Sequence, residues 1–188
     1  MEMEVLRLGH RLPRDERIST HVALVARAFG AGSIAYSGQH DEGLEKSVQR
    51  LAERWGGEFS VSYRPKYKSY IKQRKEAGFT VVHLSMYGIP VPEATKEIRK
   101  HGKLLIVVGS EHVPPEVYHL ADYNVSVTSQ PHSEVAALAI ILDRLMEGKE
   151  LERSFDEKFK GKIRIEPSGK GKDIREADGN AEGSRGCD

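Results

Sequence analysis

Three short loops hold the residues best suited to gripping a ligand: LSMYG at Leu84–Gly88, GSEHVPP at Gly109–Pro115 and VTSQPHSE at Val127–Glu134. Gly88 and Gly109 let the backbone approach a bound group closely, and Pro90, Pro114 and Pro131 stiffen the exits. Such loops offer main-chain amides and carbonyls, which can take a purine edge or a carboxylate without a charged side chain. No GxGxxG follows the first predicted strand and no GxxxxGK[ST] occurs, which argues against an ordinary dinucleotide site and a P-loop. Cys187 is the sole cysteine, so an internal disulfide and a cysteine-based metal site are excluded, and no metal is expected.

A second kind of chemistry lies in YRPKYKSYIKQRK, Tyr63–Lys75. The chain's net charge is +1, yet this stretch carries six Lys/Arg and no acid. Arg64, Lys66, Lys68 and Lys72 are candidates for RNA phosphates, with Tyr63, Tyr67 and Tyr70 interleaved where they could stack or hydrogen-bond. A solvated helix face is the alternative reading of such a charge run.

The elements that position these loops follow from periodicity. Strands are predicted at Glu4–Leu8, Ser33–Tyr36, Glu58–Ser62, Phe79–Leu84, Leu104–Val108 and Tyr123–Val127. Between them lie helices over Ile18–Phe29, Asp41–Trp55, the basic stretch to about Gly78, Glu93–His101 and one turn after Pro115. A last helix begins near Glu134 and stops at Gly148. The unbroken apolar runs FTVVHL and LLIVV suit a parallel sheet buried on both faces, where ligands bind beyond the carboxyl ends of the strands. In VAALAIIL, Val135–Leu142, no polar stripe remains, so one face is expected on the sheet and the other on a partner subunit, the alternative being burial under the C-terminal segment of the same chain. Residues 1–148 read as one α/β domain, 149–165 as an extension, and 166–188 as a polar, glycine-rich tail expected to be disordered. No run of 18 apolar residues and no signal-peptide pattern occurs, so no membrane span and a cytoplasmic location are expected.

VVGSEHVPPEVY, NVSVTSQPHSEVAALAIILDR and RDERISTHVALVARAFGA together resemble the archaeal tRNA cytidine 2′-O-methyltransferases of the SPOUT superfamily, from about Val5 to Arg144. The resemblance implies methylation of the ribose of the T-loop cytidine at tRNA position 56. It implies S-adenosylmethionine as cofactor, a homodimer, and a parallel-sheet α/β knot fold ending in a deep C-terminal trefoil knot. Carried over, the cofactor site is Leu84, then Gly109, Ser110, Glu111, His112 and Val113. It continues through Val127, Thr128, Ser129 and Gln130 to Pro131, His132, Ser133 and Glu134. Taken without the resemblance, Glu111 could simply stabilise its turn, His132 could be structural, and Ser133 could cap the last helix.

Methyl transfer to a ribose hydroxyl needs a positioned nucleophile and a route for its proton. Arg14 and Arg17 are assigned to RNA and hydroxyl positioning, and His21 to proton relay, with Asp15 and Thr20 beside them. The competing readings are a solvated helix start for RDER and an ordinary half-buried histidine at 21. Ribose methylases of the superfamily usually carry a catalytic Arg ahead of a Phe-Gly pair. Aligning Phe29–Gly30 puts that position on Leu24, and Glu134 stands where many relatives have Asn. Two other functions stay open: a non-catalytic RNA-binding module of this fold, and a small-nucleotide-binding α/β protein.

Overall fold

The computed structural model describes residues 1–109, 113–152 and 157–176. Strand β1 (Glu2–His10) leads through α1 (Glu16–Ala28), β2 (Ser33–Gly38), α2 (Glu42–Trp55) and β3 (Ser60–Tyr63) to α3 (Tyr67–Glu76). The chain continues with β4 (Thr80–Pro90), α4 (Val91–Ile98), β5 (Lys103–Val108), α5 (Pro115–Leu120), β6 (Tyr123–Ser126) and α6 (Glu134–Met146). These six strands form one sheet in the order β3-β2-β1-β5-β4-β6, every neighbouring pair parallel. The chain winds outward from β1 on one side and returns beside it as β5, so the reversal point lies between those two central strands.

Alternation along β5 explains the run LLIVV. Leu104, Ile106 and Val108 pack with residues of α1, α2, α4 and α6, whereas Leu105 and Val107 pack with α3 and α5. A strand covered on both faces has no solvent side on which to place polar residues. Helix α2 starts at Asp41, whose carboxylate accepts from the Leu44 amide at 3.0 Å, and stops at Gly56, whose φ of 78° favours glycine.

Strand β4 is longer than FTVVHL suggests. It leaves register after Leu84 and re-enters at Ile89, both residues lying opposite Val125 of β6. The residues between form the LSMYG excursion at the carboxyl edge. Helix α6 buries Ala137, Leu138, Ile141, Leu142 and Leu145, but Ala136 is exposed and Ile140 remains 40% exposed. Its burial within this chain is therefore one-sided.

The C-terminal part departs from the sequence reading. Strands β7 (Ile163–Glu166) and β8 (Asp173–Glu176) pair antiparallel, so regular structure passes the expected boundary at 165 and includes part of the segment read as disordered. Pairing Ile165 with Ile174 places two apolar residues side by side, a long-range match that local composition hides. The approach to the hairpin docks on the end of α2: the Gly57 amide donates to the Phe159 carbonyl at 2.7 Å, and Arg27 lies 4.6 Å over the Phe159 ring. Residues 177–188 lie outside the described residues.

Candidate cofactor and RNA site

At the carboxyl edge, register aligns Arg7 of β1 with Val108 of β5, Val108 with Leu84 of β4, and Leu84 with Val125 of β6. The three ligand-suited loops all leave this row. A Cβ on Gly88 would sit 2.5 Å from the Asn124 carbonyl, and one on Gly109 would sit 1.9 Å from Val113 Cγ2. At Gly88 two backbones are thus drawn together more tightly than a larger residue permits, while at Gly109 the space is taken by the Val113 side chain. Ser110, Glu111 and His112 lie outside the described residues.

The loop after β6 is held by its own polar groups. The Gln130 amide donates to Thr128 Oγ1 at 3.2 Å, and His132 Nδ1 donates to the Gln130 carbonyl at 2.7 Å. Ser133 Oγ accepts from the Val135 amide at 3.2 Å and caps α6. Thr128 through Ser133 are exposed, while Val127 and Glu134 are half-buried. This neutral set of main-chain and hydroxyl groups beside two glycine close approaches fits a purine-bearing, carboxylate-bearing ligand such as S-adenosylmethionine.

Beneath the edge lies a buried ionic cluster that the sequence reading did not single out. Arg7 is 1% exposed, and its Nε and Nη2 donate to Glu134 Oε1 at 3.1 and 2.9 Å. Arg7 Nη2 is also 3.9 Å from Asp15 Oδ2, which accepts from the Arg11 amide and Arg11 Nε. Arg7 Nη1 is buried with no hydrogen-bond partner among the described residues. Burial pushes the Glu134 carboxyl above its ordinary pKa, against the pull of Arg7. Burial acts the same way on Asp15, but the Arg11 hydrogen bond and the charges of Arg7 and Arg11 outweigh it, leaving that carboxyl below its ordinary value. The available signal was a lone Arg inside the apolar strand EVLRL.

Next to it, His10 Nδ1 lies 2.7 Å from Ser19 Oγ, and its Nε2 lies 3.2 Å from Asp41 Oδ2. The Ser–His–Asp order invites comparison with a nucleophilic triad. Ser19 is 1% exposed and His10 is fully buried, so no substrate reaches that hydroxyl. Burial, then the Arg7 charge, lowers the His10 pKa against the pull of Asp41, and the group is a strut between β1, α1 and the start of α2.

The predicted catalytic residues lie on the solvent side of this cluster. Arg14 is exposed in the loop before α1, and Arg17 and His21 are exposed on α1 itself. Arg17 and His21 share the wall of a cavity of about 370 Å³ with Thr20, Asp41 and Ser47. Leu24 is 37% exposed.

A second cavity, of about 500 Å³, opens beside β3 and α3 and is lined by Tyr63, Arg64, Lys66, Ser69, Tyr70 and Gln73. Lys72 is exposed on α3, and Lys68 pairs with Glu116. The tyrosines depart from the stacking expectation. Tyr70 is 9% exposed and donates to Glu4 Oε2 at 2.9 Å, with burial raising its pKa to about 12. Tyr63 donates to the Gly38 carbonyl and stacks on His40, and Tyr67 packs against the core of the α3 face. Helical periodicity turns Tyr67 and Tyr70 inward because α3 otherwise has little apolar surface to bury.

A profile of the family described as tRNA ribose 2′-O-methyltransferase, aTrm56, matches residues 55–175. A tRNA (cytidine(56)-2′-O)-methyltransferase of Methanopyrus kandleri is 51% identical over 178 residues, covering 93% of this chain and 98% of its own. The protein of that name from Methanocaldococcus jannaschii is 54% identical over 175 residues, covering 92% and 95%. The chain belongs to this family. Among solved structures, the A. aeolicus TrmH/SpoU tRNA modifying enzyme superposes with a TM-score of 0.59 at 16% identity, over 84% of this chain and 80% of that one. The SpoU methyltransferase AviRb of Streptomyces viridochromogenes, in complex with AdoMet, gives 0.58 at 19% identity, over 81% and 59%. At such identities the likeness speaks for the fold alone, a parallel-sheet α/β fold of the kind these SpoU enzymes have. Within the family, the match from 55 to 175 takes in the loops of the carboxyl edge and the β7–β8 hairpin except the last residue of β8.

Proposed function

We propose that the protein methylates the ribose 2′-hydroxyl of cytidine 56 in tRNA, using S-adenosylmethionine. The observation that carries this reading is near end-to-end identity of about half the residues with relatives bearing that name. When bound, S-adenosylmethionine supplies a methyl group on a sulfonium, a leaving group that needs no further activation.

The chain's own residues bind, orient and manage the proton. Leu84, Gly109–Val113 and Val127–Glu134 hold the cofactor chiefly through main-chain groups, with the glycine close approaches shaping the pocket. Arg14 and Arg17 orient the RNA and lower the cost of negative charge on the 2′-oxygen, while His21 relays its proton. The shared cavity wall of Arg17 and His21 supports this pairing. Arg64, Lys66, Lys68 and Lys72 hold phosphates of the tRNA, and helix α3, which carries the last two, has no acid in its first turn.

The protein works as a homodimer through α1 and α6. Leu24 and Ile140, 37% and 40% exposed, lie on these two helices, which pack against each other. The path through β4, β5 and β6 is read as the trefoil knot of the superfamily, and the tRNA substrate implies a cytoplasmic site of action. No described helix is long and apolar enough to cross a membrane. Leu24 at the position of the usual catalytic Arg favours one alternative, an RNA-binding module without catalysis.

Incubation of an unmodified tRNA transcript with methyl-labelled S-adenosylmethionine separates the two. The proposal requires label in the tRNA and loss of label when position 56 is 2′-deoxycytidine. Cofactor binding without transfer would establish the binding module instead.

A further inference from the structure

We infer that Arg7 is a positioning residue that locks the cofactor loop to the loop carrying Arg14 and to the start of α1, where Arg17 lies. The inference rests on the reading of Val127–Glu134 as the cofactor loop. Its geometric basis is a single buried guanidinium, on the central strand at the sheet's reversal point, reaching both loops.

On one side Arg7 holds Glu134, the first residue of α6 and the last of the cofactor loop, through two donors on one carboxylate oxygen. On the other it faces Asp15, the residue that begins α1. An Asp at that place usually turns its carboxylate onto the amides of the first helical turn. Asp15 makes no such cap and turns back to the Arg11 amide and guanidinium beside Arg7. Both loop ends thus lean on one cation.

Core stability alone does not call for an arginine here. Met3 and Val5, on the same strand and the same face, join the apolar cluster, and an aliphatic residue at 7 would extend it. A buried charge is expensive, and replacing a buried ion pair with apolar residues of similar size often leaves stability unchanged or improved. Arg7 Nη1 has no hydrogen-bond partner among the described residues, which adds to the expense. What an apolar pair cannot do is fix the spacing and angle of two loops through a rigid planar fork.

Four variants test this: Arg7→Met, Arg7→Lys, Glu134→Gln and the double replacement Arg7→Met with Glu134→Met. Their readouts are thermal midpoint, amide exchange without ligand, S-adenosylmethionine affinity by calorimetry without tRNA, and the kcat of transfer. The double variant is expected to melt near the wild type, since no charge is left buried alone. It should still bind S-adenosylmethionine roughly ten-fold or more weakly, a loss within the usual range for coupled sites. Its kcat should fall on the order of a hundred-fold, the scale set by a misplacement of about 1 Å. In Arg7→Lys and Glu134→Gln, amides of both 11–19 and 127–137 should exchange faster together. A double variant with wild-type melting, affinity and kcat would overturn the inference, as would faster exchange confined to one of the two loops. Wild-type protein that binds no S-adenosylmethionine would overturn the cofactor-loop reading and the inference with it.

Discussion

Two groups of basic residues occupy the middle and one end of the sheet's carboxyl edge, and they obey different physics. Arg7 is buried, with its guanidinium committed to Glu134 and close to Asp15. Arg64 and Lys66 are exposed beside a wide cavity, and the first turn of α3 contains no acid. A desolvated cation must be paired, so its removal leaves partners stranded; a solvated cation loses little when the chain is alone and matters when a polyanion arrives. Charge counted along the sequence does not separate these roles. Burial does.

The widest gap between the two clusters is expected in stability. Arg7→Met should cost about 3–5 kcal/mol in urea unfolding, the usual penalty for breaking a buried pair from one side. Lys66→Met should stay within about 0.5 kcal/mol, as surface substitutions do. Equal losses would mean that Lys66 is held far more firmly than its exposure indicates.

A smaller effect separates the clusters by pH. The Asp15 carboxyl titrates below its ordinary value in the folded protein, because its Arg11 hydrogen bond and the Arg7 and Arg11 charges prevail over burial. A depressed folded pKa gives stability that is present above the unfolded value, near pH 4, and is lost as pH falls through the folded one. Asp15→Asn should therefore cost roughly 1.5–3 kcal/mol at pH 7 and converge on the wild type in acid. A gap between the two proteins that stays constant from pH 7 to pH 2 would contradict this assignment.

The mildest change concerns RNA. Lys66→Ala with Lys72→Ala should leave folding untouched and lower tRNA affinity, with the slope of log affinity against log salt reduced by about 1–2. An unchanged slope would remove these residues from the phosphate contacts.

How much of this could be read from the sequence depends on the range of the interaction. LLIVV and FTVVHL announced buried parallel strands because their local composition follows directly from two-sided burial. The excursion of β4 was hidden, since re-pairing of Ile89 with Val125 depends on a strand laid down much later in the chain. The β7–β8 hairpin was missed for the same reason: Ile165 and Ile174 look like isolated apolar residues until they are opposite each other. In the candidate site, the loops were legible through Gly, Pro and hydroxyl content. The Arg7–Glu134 contact was not, because its partners are separated by 127 residues and nothing local links a lone Arg in an apolar strand to an acid at the start of α6. Tyr70 looked available for stacking because its residue type suits RNA, whereas its helical position turns it towards Glu4 and the core.

The central claim is a methyl group on one ribose of tRNA. Alkaline hydrolysis of an end-labelled tRNA transcript reads it directly, because a 2′-O-methyl group removes the hydroxyl that attacks the neighbouring phosphate. After incubation with the protein and S-adenosylmethionine, the ladder should show a single gap, at cytidine 56. An unbroken ladder, or a gap at another nucleotide, would contradict the account.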